Sequence, residues 1–152
     1  MDVCPTPHYN VVMPVISVRI SDPALHERLK RTASGRQVGV SGLAEQLIDE
    51  GLRMTAHPAI VFRDGPTGRR PALAGGPEVA DVIGAMVGGD VPIQERRARA
   101  ADLLAVPPAM VDAALAYYAE FTEEIDRALK ERAEHAEREE ARWRKEQQLL
   151  AR

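Results

Sequence analysis

Residues Val15-Ile16-Ser17-Val18-Arg19-Ile20 alternate with a period of two. Ile16, Val18 and Ile20 share one face, and Val15, Ser17 and Arg19 the other, the pattern of a strand with one side buried. Two helical patterns follow it directly, with no second strand beside them. A lone strand leaves both backbone edges unpaired, and about forty residues bury too little apolar surface to fold alone. The economical solution is a two-fold dimer. Each strand pairs antiparallel with its mate, four helices cover the Ile16/Val18/Ile20 face, and the opposite face presents Val15, Ser17 and Arg19 twice over. A two-stranded ribbon of that width fits the DNA major groove. The same six residues would also serve as an ordinary strand in an α+β core.

The helix limits are written in local chemistry. Ser21-Asp22-Pro23 supplies an N-cap and a first-turn proline, and a helix over Pro23–Ala33 aligns Leu25, Leu29 and Ala33. Ser34-Gly35-Arg36 stops it. A second helix over Val40–Met54 carries Leu43, Leu47, Ile48 and Leu52 at helical spacing.

Pro14-Val-Ile-Ser-Val-Arg-Ile-Ser21, followed by Val38-Gly-Val-Ser-Gly-Leu-Ala-Glu-Gln-Leu-Ile-Asp-Glu-Gly-Leu52, resembles the CopG/Arc/ParD-type ribbon-helix-helix family. The resemblance implies that Val15, Ser17 and Arg19 read base edges. Arg19 would bond a guanine, Ser17 either a donor or an acceptor, and Val15 would meet a thymine methyl. It also implies that Gly39, Val40 and Ser41 hold a phosphate at the start of the second helix, with Arg36 nearby. Gly39 and Gly42 depart from the serine and glutamate that the family often carries, which implies fewer phosphate contacts.

Beyond Ala56-His57-Pro58, Ala59–Phe62 and Arg70–Ala74 read as a hairpin around Asp64-Gly65-Pro66-Thr67-Gly68. Helices over Glu78–Val87, Arg96–Leu104 and Pro108–Phe121 come next, separated by Gly88-Gly89-Asp90 and Ala105-Val106-Pro107. His57–Phe62, Gly68–Gly75 and Ala113–Glu120 resemble domain-of-unknown-function family 433. That resemblance covers roughly 56–125 and implies a hairpin with a helix-turn-helix-like bundle, found in antitoxin partners of PIN-like ribonuclease toxins. The would-be recognition helix, Pro108–Phe121, contains Asp112 and Glu120 and no Lys or Arg, so it would meet phosphates against repulsion. It is read as packing or protein contact. Arg69-Arg70 and Arg96-Arg97-Arg99 are solvated surface, with DNA backbone or an acidic partner as the alternative.

From Thr122 onwards charge dominates, with opposite signs four residues apart (Asp126/Lys130, Arg127/Glu131, Glu134/Arg138, Arg142/Glu146). A thin seam runs through Leu129, Ala133, Ala136, Glu140, Trp143, Gln147 and Leu150. Of these, Leu129, Ala133, Ala136, Trp143 and Leu150 are candidates for a partner protein's groove.

The expected architecture is therefore mainly α. An arm at 1–13 precedes a dimeric ribbon-helix-helix domain at 14–55. A hairpin plus three-helix, helix-turn-helix-like domain follows at 56–121, then a charged helix at 122–152. The net charge of −3 is spread without a basic domain: six basic and six acidic groups over 1–56, six and eight over 57–121, eight and nine over 122–152. DNA binding must then rest on a local dimeric surface. No apolar run is long enough for a membrane span, and the start lacks the pattern of a signal peptide. The single cysteine, Cys4, suits the bacterial cytoplasm. The four histidines lie far apart, and no phosphate loop, nucleophile elbow or metal-ligand spacing occurs, so neither cofactor nor enzyme chemistry is expected. The function expected is an antitoxin and autorepressor that binds operator DNA as a homodimer and a toxin through its C-terminal half. A stand-alone regulator, or a protein-binding dimeric adaptor, are the alternatives.

Overall fold

The computed structural model describes residues 15–65, 68–87 and 91–151. Within them the chain is mainly helical: α1 Pro23–Gly35, α2 Val40–Ala56, β1 Ile60–Gly65, β2 Gly68–Leu73, α3 Val79–Met86, α4 Arg96–Leu104, α5 Pro108–Glu120 and α6 Thr122–Leu150. It divides into two compact units, 1–45 and 46–152, and the division falls inside α2. The sequence places a boundary between 55 and 56, at the end of that helix.

In the first unit, Asp22 caps α1 by accepting the Ala24 N–H at 2.9 Å, with Pro23 in the first turn. The helix closes as Arg36 N–H donates to Thr32 C=O at 3.0 Å. Gln37 then turns left-handed (φ 56°), and Val38 N–H returns to Ala33 C=O at 3.0 Å. Gly39 C=O accepts the Leu43 N–H at 3.0 Å to start α2. Ala33 and Leu43 are the buried apolar residues among the described residues of this unit. Val15–Ile20, expected as a strand paired with a second copy, take no regular structure within the single chain and are exposed. A strand is defined by a paired ladder, and the sheet among the described residues is the β1–β2 pair alone.

The second unit closes a core of its own. β1 and β2 pair antiparallel from Ile60↔Leu73 to Gly65↔Gly68, so the hairpin runs further than the sequence predicts, through Arg63 and Asp64. Gly68 takes φ 103°, a conformation that suits glycine. Part of the expected turn, 66–67, lies outside the described residues, as do the arm at 1–13 and the Gly88–Asp90 stop. Pro71 costs little in a two-stranded ribbon, where a strand's outer edge needs no donor. Gly76 sits where a Cβ would come within 3.0 Å of Leu73 Cβ, which fixes the tight corner into α3. Asp81 returns to accept the Glu78 N–H at 3.1 Å, the outer half of a capping box.

Ile60, Leu73, Val79, Val82, Ile83, Val111, Ala114, Tyr117 and Ile125 fill the interior, with Ala100, Ala101 and Ala128 at the close helix contacts. Small side chains let the helices approach, which is how a chain with 4% aromatics builds a core. α4 ends at Ala105, left-handed at φ 52°, with Val106 N–H returning to Ala101 C=O at 3.0 Å. α4 and α5 are bent by 112° to each other, and no single helix among the described residues is long and apolar enough to cross a membrane.

α6 has two parts. Ile125 and Ala128 are buried, and Leu129 packs over Gly84, where an added Cβ would meet Leu129 Cδ2 at 3.3 Å. Ion pairs from Arg70 to Glu131 (2.6 Å) and from Arg132 to both Glu78 and Asp81 fasten the next turn. Beyond Arg132 nearly every residue is exposed.

Candidate functional site

Every residue expected to face DNA lies in the first unit. Val15, Ser17 and Arg19 are exposed on the irregular segment before α1, and Gly39, Val40 and Ser41 are exposed where α2 begins. The first α2 turn offers backbone N–H groups that have no earlier carbonyl in the helix to bond. Arg36, at the α1 cap, interacts within the chain and so is not an unengaged cation. A Cβ built on Gly39 or Gly42 meets nothing within 4 Å, so neither glycine is required by crowding.

The apolar side of this unit is as open as its polar side. Ile16 is 87% exposed and Val18 70%, with Ile20, Leu25, Val38 and Val40 also uncovered. Along α2, in the second unit's share of the helix, Leu47, Ile48 and Leu52 are exposed too.

The second unit holds a polar cluster that the sequence reading missed. Arg53 on α2 donates to the Tyr117 hydroxyl (3.0 Å) and to Glu124 (2.5 Å), and pairs with Asp49 (2.9 Å). Its guanidinium lies 4.2 Å from the Phe121 ring centre and 5.9 Å from that of Phe62, a cation held against aromatic faces. Burial works against the Arg53 charge, but the bonds to Tyr117, Glu124 and Asp49 outweigh it and raise its pKa. Burial likewise pushes the Tyr117 hydroxyl up to about 12, although the Arg53 bond pulls it the other way. Arg53 Nε is buried without a hydrogen-bond partner; nothing in the structure explains that atom.

Beside it, His57 Nε2 lies 2.8 Å from Glu120 Oε2 and its ring packs edge-on to Tyr117 and Phe121. Glu50 is buried, takes a forked bond from Arg69 Nε (2.7 and 2.8 Å) and accepts from Gln46 (2.7 Å). Arg69 and Arg70, expected as solvated surface, are thus engaged by the chain's own Glu50 and Glu131. Arg96 donates to the Val91 carbonyl at 3.1 Å, and Arg97 pairs with Asp112 at 3.2 Å. The sequence signal was faint: Glu50 and Arg53 are polar residues in an otherwise amphipathic helix, and besides Gln46 and Asp49 in the same helix their partners lie 19 to 71 positions away.

α5 sends Val111, Ala114 and Tyr117 into the core. On α6, Leu129 is partly buried against the second unit, whereas Ala133, Ala136, Trp143 (59% exposed) and Leu150 (81%) stand open. A shallow groove of about 660 Å³ is lined by Val91, Glu95, Ala98, Arg99, Asp102 and Leu103. Among the described residues, no three His, Cys, Asp or Glu side chains gather as metal ligands. Compared with known proteins, the chain matches no family model, no curated protein and no solved structure.

Proposed function

We propose that this chain is a homodimeric DNA-binding repressor of ribbon-helix-helix type, serving as the antitoxin of a toxin–antitoxin pair. The observation that carries the reading is the open apolar face of the first unit. Ile16, Val18 and Ile20 alternate with Val15, Ser17 and Arg19, and a single chain buries none of the three apolar side chains. A second copy would pair with this segment, bury Ile16, Val18 and Ile20, and turn Val15, Ser17 and Arg19 outward on one ribbon. Burying such side chains stabilises by roughly 1.5–3 kcal/mol each, enough to offset the ordering of a short segment.

Operator contact then rests on Arg19, Ser17 and Val15, with the Gly39–Ser41 turn and Arg36 at the backbone. The second unit and α6 serve protein contact. Charge supports this division: α5 has acidic residues and no basic one, and Arg69, Arg70 and Arg97 are neutralised within the chain. A ribonuclease toxin of the PIN-like class is the partner proposed.

The test is a gel shift at fixed salt on a duplex selected from a random pool, with mass measured by sedimentation. Arg19→Ala removes two symmetric base contacts, each good for about 1–3 kcal/mol. The affinity should fall at least about tenfold while the mass stays that of a dimer. Unchanged affinity would overturn the DNA reading, and a monomeric parent would overturn the dimer.

A further inference from the structure

Between 46 and 57, α2 turns its polar side towards the rest of the second unit. Gln46, Glu50, Arg53 and His57 follow at steps of four, three and four, so they form one stripe along the helix. Every member of that stripe is engaged: Glu50 by Gln46 and by Arg69 of β2, Arg53 by Tyr117 and Glu124, His57 by Glu120. The apolar side chains Leu47, Ile48, Leu52 and Met54 are exposed instead. Glu50 is the one buried residue over 46–57, and no α2 residue joins the core around Ile60, Leu73, Val82 and Val111. β1, β2, α3, α4, α5 and the start of α6 each send at least one apolar side chain into that core. The tail of α2 is attached in a different way from every other element of its unit.

We infer that residues 46–57 are a strap that opens away from the second unit as an intact helix while the core behind it stays folded. Elements with few buried apolar contacts open at low free energy, and this one is held by hydrogen bonds and ion pairs. Such bonds exchange for water at small net cost. Opening returns both partners of each pair to solvent together, so no charge is left buried alone. Arg53 Nε, buried without a partner, gains water only when the strap opens. The hinge is defined too. Ala59 is pinned by the Ala74 N–H (2.9 Å) and α2 ends at Ala56, which leaves His57 and Pro58 to absorb the rotation. The Ile60 N–H to His57 C=O bond (2.9 Å) is the backbone bond that spans it.

Beneath the strap lie both phenylalanines of the chain. The Arg53 guanidinium stands 4.2 Å from the centre of Phe121 and 5.9 Å from that of Phe62, and the His57 ring stands 5.2 Å from that of Tyr117. With the strap open, these rings form one patch at the edge of the core, Tyr117 and Phe121 already 4.6 Å apart. Covering that apolar patch favours the closed state, and rehydrating the polar stripe favours the open one. The two states present different surfaces, charged when closed and aromatic when open, and aromatic rings are the side chains that most often anchor protein contacts. The inference needs neither DNA binding nor a second copy.

The test uses the full chain with Cys4→Ser and spin labels at Thr55 and Ala109, both exposed, diluted into unlabelled chain so that the distance read lies within one copy. The parent should give one narrow distance. Glu50→Gln and Arg53→Met should each raise a second, longer distance several-fold, and the two together should make it dominant. Hydrogen exchange in the β1–β2 ladder and in α3 should stay slow throughout. Val82→Ala, a truncation in the core, should lower the melting temperature and leave the distance unchanged. A double variant that keeps the parent distance would overturn the inference, since the polar stripe would not be what holds α2. Unfolding of the whole second unit in the double variant, or equal opening by Val82→Ala, would overturn it too, because α2 would then be part of the core. A strap that opens in a chain indifferent to DNA would uphold this inference and sink the earlier one.

Discussion

Ile16, Val18 and Ile20 are the same kind of side chain as Val79, Val82 and Ile83, yet the first three are exposed and the second three are buried. The difference lies in what surrounds them. α3 meets α4, α5, α6 and β2 within one chain, so its apolar stripe is covered as soon as that chain folds. The segment at 15–20 has neither a paired strand nor a covering layer among the described residues. Under the proposed dimer, the first unit's stability depends on protomer concentration, whereas the second unit's is intrinsic.

The largest expected effect tests the first unit. Val18→Asp places a charge on the face proposed to be buried in the dimer, where an unpaired charge costs several kcal/mol. Dimer mass should be lost at micromolar concentration, while the thermal transition of the second unit stays in place. If the dimer survives, the apolar face is not its interface and the contrast between the two regions fails.

Arg53→Met probes the other side. It removes the cation shared by Tyr117, Glu124 and Asp49 and keeps most of the stem that packs on Phe121. Breaking a partly buried network of this kind should lower the second unit's stability by about 2–3 kcal/mol in chemical denaturation, somewhat under the cost for a fully buried pair. Dimer mass should not change. A loss under about 0.5 kcal/mol would reduce the cluster to surface pairing.

The smallest effect is alkaline. The Tyr117 hydroxyl is pushed up to about 12 by burial, against 10.0 when free. The unfolded chain therefore releases this proton first. The stability tied to it is complete below pH 10 and is lost as pH climbs from 10 towards 12. Absorbance titration should show a late-ionising phase that is lost in Tyr117→Phe and moves to the ordinary range on unfolding. Early ionisation of all three tyrosines would contradict the buried placement.

Much of the helical layout was legible in the sequence because its signals are local. Asp22-Pro23, Gly35, Pro108 and the periodic apolar residues mark starts, stops and faces within a few positions of where they act. The Val15–Ile20 alternation was equally legible as a pattern, but a strand is a relation between two segments, and no described segment of this chain pairs with it. The Arg53 and Glu50 clusters were not legible. Their partners are distant in sequence, and an arginine on a helix looks the same whether it faces water or a tyrosine. The hairpin was underestimated for a related reason: Asp64 reads as a turn residue and Arg69 as solvated surface until Asp64–Arg69 (3.4 Å) and Glu50–Arg69 are seen to satisfy them.

Ala105 has a further consequence. An alanine in the left-handed region carries a penalty of about 1 kcal/mol that glycine would avoid. The corner after α4 is built from its Cβ-bearing residue all the same, held by the return bonds to Ala101 and Asp102. The α4–α5 corner therefore keeps a reserve: a single replacement there can compensate for a damaging change elsewhere in the second unit. That gives the rest of the second unit room to vary while its core stays folded.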